Sequence, residues 1–131
     1  MAKTVEDLMV KDVLTVGPSD TIGEAAEKMH AANVGAVVVV EDMVRIVGIV
    51  TERDLMRAVA QRARAAEARV RQWMTPNPVT IAPETSIEDA AQVMFENNFR
   101  HLPVVKDGRP LGIVSLRLLS RWAFESVRPP E

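Results

Sequence analysis

The chain lacks cysteine altogether. Disulfides, thiolate metal sites and cysteine nucleophiles are thereby excluded. An excess of one charge is also missing: 16 basic and 18 acidic residues leave a net charge of −2. A general nucleic-acid binder would carry a basic excess or stripe, so that class is disfavoured. Long apolar runs are absent as well. The run at residues 34–40 is far too short to cross a bilayer. The first residues, Met1-Ala2-Lys3-Thr4-Val5-Glu6-Asp7, turn acidic at once and hold no apolar signal core. A soluble, cytoplasmic chain is the expectation. Two histidines are too few, and too isolated, to suggest an acid–base constellation. No metal-ligand cluster, Ser-His-Asp ordering or glycine-rich phosphate loop can be read. The sequence therefore argues against an enzyme and against a metal protein.

What is present is a repeat. Displacing the chain by 65 residues places Met9 on Met74, Thr15 on Thr80, Pro18 on Pro83 and Ile22 on Ile87. Ala25-Ala26 then falls on Ala90-Ala91, Met29 on Met94 and Asn33 on Asn98. After a one-residue deletion, Gly48-Ile49-Val50-Thr51 meets Gly112-Ile113-Val114-Ser115. Each repeat opens with an extended segment, Leu14-Thr15-Val16 or Val79-Thr80-Ile81, closed by Pro18 or Pro83. A helix follows. Its start is capping-box-like, with Thr21 before Glu24 and Ser86 before Asp89. The residues at Ile22, Ala25, Ala26 and Met29 make one apolar face. Two apolar runs joined by a polar turn then read as a hairpin, and a second helix closes the repeat.

The fold class is accordingly α/β of the α+β type: two pseudo-symmetric β-α-β-β-α repeats, expected to pack face to face. The division falls at residues 1–65 and 66–131. Residues 61–71, rich in Ala and Arg, are expected to continue the second helix as the connection. The tail Arg128-Pro129-Pro130-Glu131 cannot continue a helix.

The words Gly48-Ile49-Val50-Thr51-Glu52-Arg53-Asp54 and Arg100-His101-Leu102-Pro103-Val104-Val105, with Met74-Thr75-Pro76 and its counterpart at Met9, resemble the CBS domain in the tandem arrangement called a Bateman module. The resemblance covers nearly the whole chain. It implies a regulatory ligand of the AMP, ADP or ATP class, with S-adenosylmethionine or NAD as further adenosyl candidates. It also implies a homodimer and a protein partner that reads the ligand state. A structural or protein-interaction module with vestigial sites is the competing reading.

Thr51 and Asp54 stand where a strand meets a helix. Free N–H groups and the dipole at such an end favour a phosphate, and a carboxylate can accept from ribose hydroxyls. The same Thr-x-x-Asp spacing is also a capping box, and spacing alone favours that use. The family resemblance adds Arg100 and His101 as phosphate donors facing Thr51 and Asp54 across the cleft, with Arg53 assisting. Val13, Leu14, Thr15, Val37 and Pro103 are the implied walls for the base. In the other cleft Ser115, Thr80 and Arg117 remain, but Leu118 replaces Asp54, and Gly35 and Ala36 replace Arg100 and His101. One working nucleotide site per chain is expected. His30 is expected on an exposed helix face, and Trp73 and Trp122 in packing roles.

Overall fold

The computed structural model describes residues 3–126. The strands and helices follow in the order β1 (Thr15–Val16), α1 (Ile22–Ala32), β2 (Ala36–Glu41), β3 (Arg45–Thr51), α2 (Glu52–Ala60), α3 (Val70–Trp73), β4 (Thr75–Pro76), α4 (Ile87–Asn97), β5 (His101–Lys106), β6 (Arg109–Ser115) and α5 (Leu116–Ser126). A short 3₁₀ turn, Val5–Asp7, precedes them. Two repeats of strand, helix, hairpin and helix are therefore present. The tail expected to break the last helix lies outside the described residues.

The chain forms two compact units. The first comprises Val13–Pro78 with Gly108–Pro110; the second comprises, among the described residues, 3–12, Val79–Asp107 and 111–126. Each unit thus takes its body from one repeat and its closing segment from the start of the other. In the first, the sheet order is β1-β2-β3-β4, with β1 parallel to β2 and the remaining pairs antiparallel. In the second, β5 and β6 pair, and single bridges Ile81↔Val104 and Val10↔Ile113 stand where the longer outer pairings lie in the first.

Hydrogen bonds hold each closing segment in place. Ile22 N–H donates to the Ala68 carbonyl at 2.9 Å, and Val70 N–H to Asp20 at 2.8 Å. At the matching positions of the second unit, Ile87 donates to Lys3 at 3.3 Å and Val5 to Thr85 at 2.9 Å. Val5 and Val70 are fully buried, each in its unit's core. The sulfur of Met74 covers Gly48, and that of Met9 covers Gly112. A Cβ on either glycine would come within 2.5–2.6 Å of that sulfur and within 2.8–3.1 Å of a backbone carbonyl, that of Thr75 at Gly48 and of Val10 at Gly112, so glycine allows the segment to lie this close.

Capping follows the sequence closely. Thr21 and Glu24 close a reciprocal capping box on α1, while Ser86 accepts from the Asp89 N–H at 3.1 Å on α4. Two hydrogen bonds from Thr21 hold the Glu24 carboxyl below its ordinary range. Asn33 and Asn98 end α1 and α4 in the left-handed region, with φ of 55° and 56°. His30 is exposed, as expected.

The expected helical continuation over residues 61–71 does not form. The helix α2 stops at Ala60. Arg62 turns left-handed at φ 61°, while Ala63 N–H reaches the Ala58 carbonyl and Arg62 N–H that of Val59, both at 3.0 Å. This is a Schellman stop. It overrides the helical propensity of the Ala/Arg run because the chain must turn back. The turned segment then lays the Ala65 and Ala68 carbonyls on the N–H groups of Gly23 and Ile22.

Both hairpins use a turn with two left-handed residues: Asp42 and Met43 at φ 53° and 65°, and Asp107 and Gly108 at 53° and 77°. Glycine is the ordinary second residue of such a turn. Met43 takes the strained position and is 91% exposed, so packing returns nothing for the strain. Met43→Gly is therefore expected to raise stability by about 0.5–1 kcal/mol. Urea unfolding checks this, and an unchanged or lower midpoint would contradict the assigned strain.

Candidate functional site

The junction of β3 and α2 gathers the polar groups of the first unit. Thr51 ends the strand opposite Ala36 and is the N-cap of α2. Its hydroxyl accepts from the Asp54 N–H at 3.4 Å and donates to Asp54 Oδ2 at 3.1 Å. The Thr51 N–H also donates to Oδ2, at 2.9 Å. The capping box is thus complete, and it draws the carboxylate back over the helix start.

Asp54 is only 6% exposed. A buried carboxylate is costly unless its lone pairs are used. Here Oδ2 is taken by the cap, and Oδ1 has two longer partners. Thr75 Oγ1 lies 3.2 Å from Oδ1 and 3.5 Å from Oδ2. The Arg57 guanidinium lies 3.4 Å from Oδ1. Arg57 also donates to the Trp73 carbonyl at 2.9 Å and sits over the Trp73 ring, 5.4 Å from its centroid. An open groove of about 540 Å³ runs along this face, lined by Arg53, Asp54, Met56, Arg57, Ala60 and Thr75. Its volume is within the range of small-molecule sites, about 300–1,000 Å³.

Of the remaining sequence-derived residues of this unit, Arg53 lines the groove, whereas Val13, Leu14, Thr15 and Val37 do not. Arg53 is exposed at the helix start. Val13, Leu14 and Thr15 are half-buried along β1 and just before it. The Leu14 carbonyl accepts from Val38 at 3.1 Å, and that of Thr15 accepts from Lys28 Nζ at 3.0 Å. Val37 is a buried member of the core cluster.

The second unit holds Arg100, His101, Pro103, Thr80, Ser115 and Arg117. The Arg100 carbonyl accepts from the Leu116 N–H at 2.8 Å, where Gly35 and Glu52 make the matching bond in the first unit. Arg100 therefore lies at the start of α5 with its side chain exposed. His101 is half-buried as the first residue of β5, and Pro103 is buried. Thr80 and Arg117 are exposed. The Ser115 hydroxyl caps α5 by accepting from Leu118 N–H at 3.2 Å.

Comparing the units position by position isolates what is special about the first. Asp54, Arg57, Trp73 and Thr75 correspond to Leu118, Arg121, Leu8 and Val10. Arg121 makes an exposed pair with Glu125, at 3.9 Å. Among the described residues the polar cluster therefore exists once. Thr75 stands in the Met74-Thr75-Pro76 word and Arg57 on a helix face expected to be solvated, but neither carries a site role in the sequence reading. The signal was available in the repeat itself: Thr75 differs from Val10 just where Asp54 differs from Leu118. Among the described residues, no group of three or more His, Cys, Asp or Glu could hold a metal, and no helix is long and apolar enough to cross a membrane.

The sequence pattern of the CBS domain matches residues 5–61 and 70–125. The chain is 39% identical over 113 residues to the CBS domain-containing protein YhcV of Bacillus subtilis, covering 86% of this chain and 80% of that protein. Two solved structures are similar. The CBS domain protein PAE2072 from Pyrobaculum aerophilum, complexed with AMP, superimposes with a TM-score of 0.81 at 30% identity, covering 88% of each chain. The CBS domain pair of MJ0100, in complex with 5′-methylthioadenosine and S-adenosyl-L-methionine, does so at 0.85 and 29% identity, covering 92% of this chain and 98% of that one.

Arg57→Ala removes the carbonyl bond, the ring contact and a partner of Asp54. It is expected to lower stability by about 1 kcal/mol, with the half-exposed ion pair adding little. Arg121→Ala, at the matching position, should cost less than about 0.5 kcal/mol. Equal losses in thermal or urea unfolding would refute the assigned role of Arg57.

Proposed function

Because this chain belongs to the CBS-domain family, as a tandem pair, we propose that it is a regulatory module that binds an adenine nucleotide of the AMP, ADP or ATP class and passes the ligand state to a partner protein. The observation that carries the reading is the Asp54 carboxylate, buried at the start of α2 and bordering a groove with arginines on its edge. Oδ2 is used by the cap, so Oδ1 is the acceptor offered to a ribose hydroxyl. The helix start and Arg53 favour the phosphate side of such a ligand. The resemblance to the family supplies Leu14 and Thr15, in the same unit, as walls for the base.

The ligands named for PAE2072 and MJ0100 support an adenosyl class and keep S-adenosylmethionine in view. Leu118 in place of Asp54 supports one good site per chain. The role is binding, with no reaction assigned. Exposed apolar residues on helices, Met56 and Val59 on α2, Phe95 on α4 and Phe124 on α5, support self-association as a homodimer. A cytoplasmic setting fits the ligand class.

Titration calorimetry with AMP, ADP, ATP, NAD and S-adenosylmethionine tests the reading. Saturable binding near one per chain is expected, and Asp54→Ala should weaken it at least tenfold. The variant retains the Thr51 hydroxyl cap, so α2 should persist by circular dichroism. A chain that binds none of these ligands would instead be an interaction module.

A further inference from the structure

Thr75 is the one group on Asp54 that comes neither from the capping box nor from α2 itself. It belongs to β4, the piece of the second repeat that closes the first unit, and it is exposed at the edge of the groove. Its hydroxyl donates to Oδ1 at 3.2 Å, the oxygen that the cap leaves open.

The strand does not need that hydroxyl. At the matching position of the second unit, Val10 makes the same antiparallel bridge, donating to Ile113 at 2.9 Å and accepting from it at 3.1 Å. Valine is therefore a sound occupant of this strand position. What the hydroxyl tracks is the carboxylate: Thr75 faces Asp54 where Val10 has Leu118 for its counterpart. A hydroxyl at hydrogen-bond distance from Oδ1 is chemically the same donor as a sugar hydroxyl.

We propose that Thr75 is an internal occupant of the ligand acceptor, a hydroxyl held on Asp54 Oδ1 that a nucleoside hydroxyl must displace on binding. This rests on the nucleotide reading above. The displacement has a consequence along the chain. Thr75 follows Trp73, whose carbonyl and ring are held by Arg57. With ligand on Oδ1, the Thr75 hydroxyl loses its shorter bond and keeps only its 3.5 Å approach to Oδ2. At this end of α2 the segment joining the repeats is then held by Arg57 and the strand pairing, without the Thr75 bond to Oδ1. Occupancy of the site is thereby coupled to the grip on the connector.

Two measurements test this. In calorimetry with AMP and ATP, Thr75→Val is expected to bind three- to tenfold more tightly than the unaltered chain, because no internal hydroxyl has to leave. Thr75→Ser, which keeps the hydroxyl, should stay within twofold. Unaltered chain and Thr75→Val binding alike, or the variant binding more weakly, would overturn the proposal while leaving the nucleotide reading intact. Binding by Thr75→Val alone would support a masked site. No binding by either chain would overturn the nucleotide reading, and the proposal would fall with it. The second measurement needs no ligand. Thr75→Val, Asp54→Leu and their combination are compared by urea unfolding, the combination recreating the Val10/Leu118 pair. The combined change in the unfolding constant should be at least fivefold smaller than the product of the single changes. Independent effects would show that the two groups do not interact, and would sink the idea.

Discussion

The amides that open α1 and α4 have no acceptor close by in sequence. They are met by the carbonyls of Ala68 and Lys3, delivered from the start of the opposite repeat. The first N–H groups of any helix must be satisfied by something outside it. In this chain that need fixes where the leading segments lie. Once Val5 and Val70 are buried beside those amides, the rest of each segment has little choice. Its methionine covers a glycine of the hairpin, and its next residue joins the outer strand. The sheet, the apolar core and the edge of the candidate site are all completed by this borrowed piece.

Most of the architecture was legible in the sequence because the repeat displays each element twice. The apolar runs became β2, β3, β5 and β6 with ends displaced by a residue or two. Thr21 and Ser86 marked helix starts by chemistry that acts over three residues. Two things were not legible. Nothing local states which repeat a short extended segment will join, so the exchange of residues 3–12 and 66–78 could not be read. And the Ala/Arg run carried a true helical propensity that lost to a distant demand, the need of Gly23 and Ile22 for carbonyls. The site was half legible for the same reason. Thr51 and Asp54 are three residues apart and speak through spacing, whereas Thr75 reaches Asp54 through tertiary pairing.

The two units also show how one plan is specialised. The backbone bonds at Gly35–Glu52 and Arg100–Leu116 are equivalents, as are the strand bridges at Thr75 and Val10. Against that common frame, four side chains change from apolar or exposed to mutually bonded: Asp54, Arg57, Trp73 and Thr75. A buried carboxylate demands donors, and the chain supplies them from both its own helix and the borrowed strand. Function and packing are therefore not separable at this end of α2. Two of the groups that make Asp54 tolerable in the fold, Arg57 and Thr75, also line the groove beside it.

The borrowed segments bear on how such a chain could be divided. A cut between the repeats would give two fragments, each keeping its neighbour's closing piece and missing its own. Neither would hold a full set of acceptors for its first helix. The pair behaves in this respect like a split protein already fused in frame, in which each half carries the other's missing part.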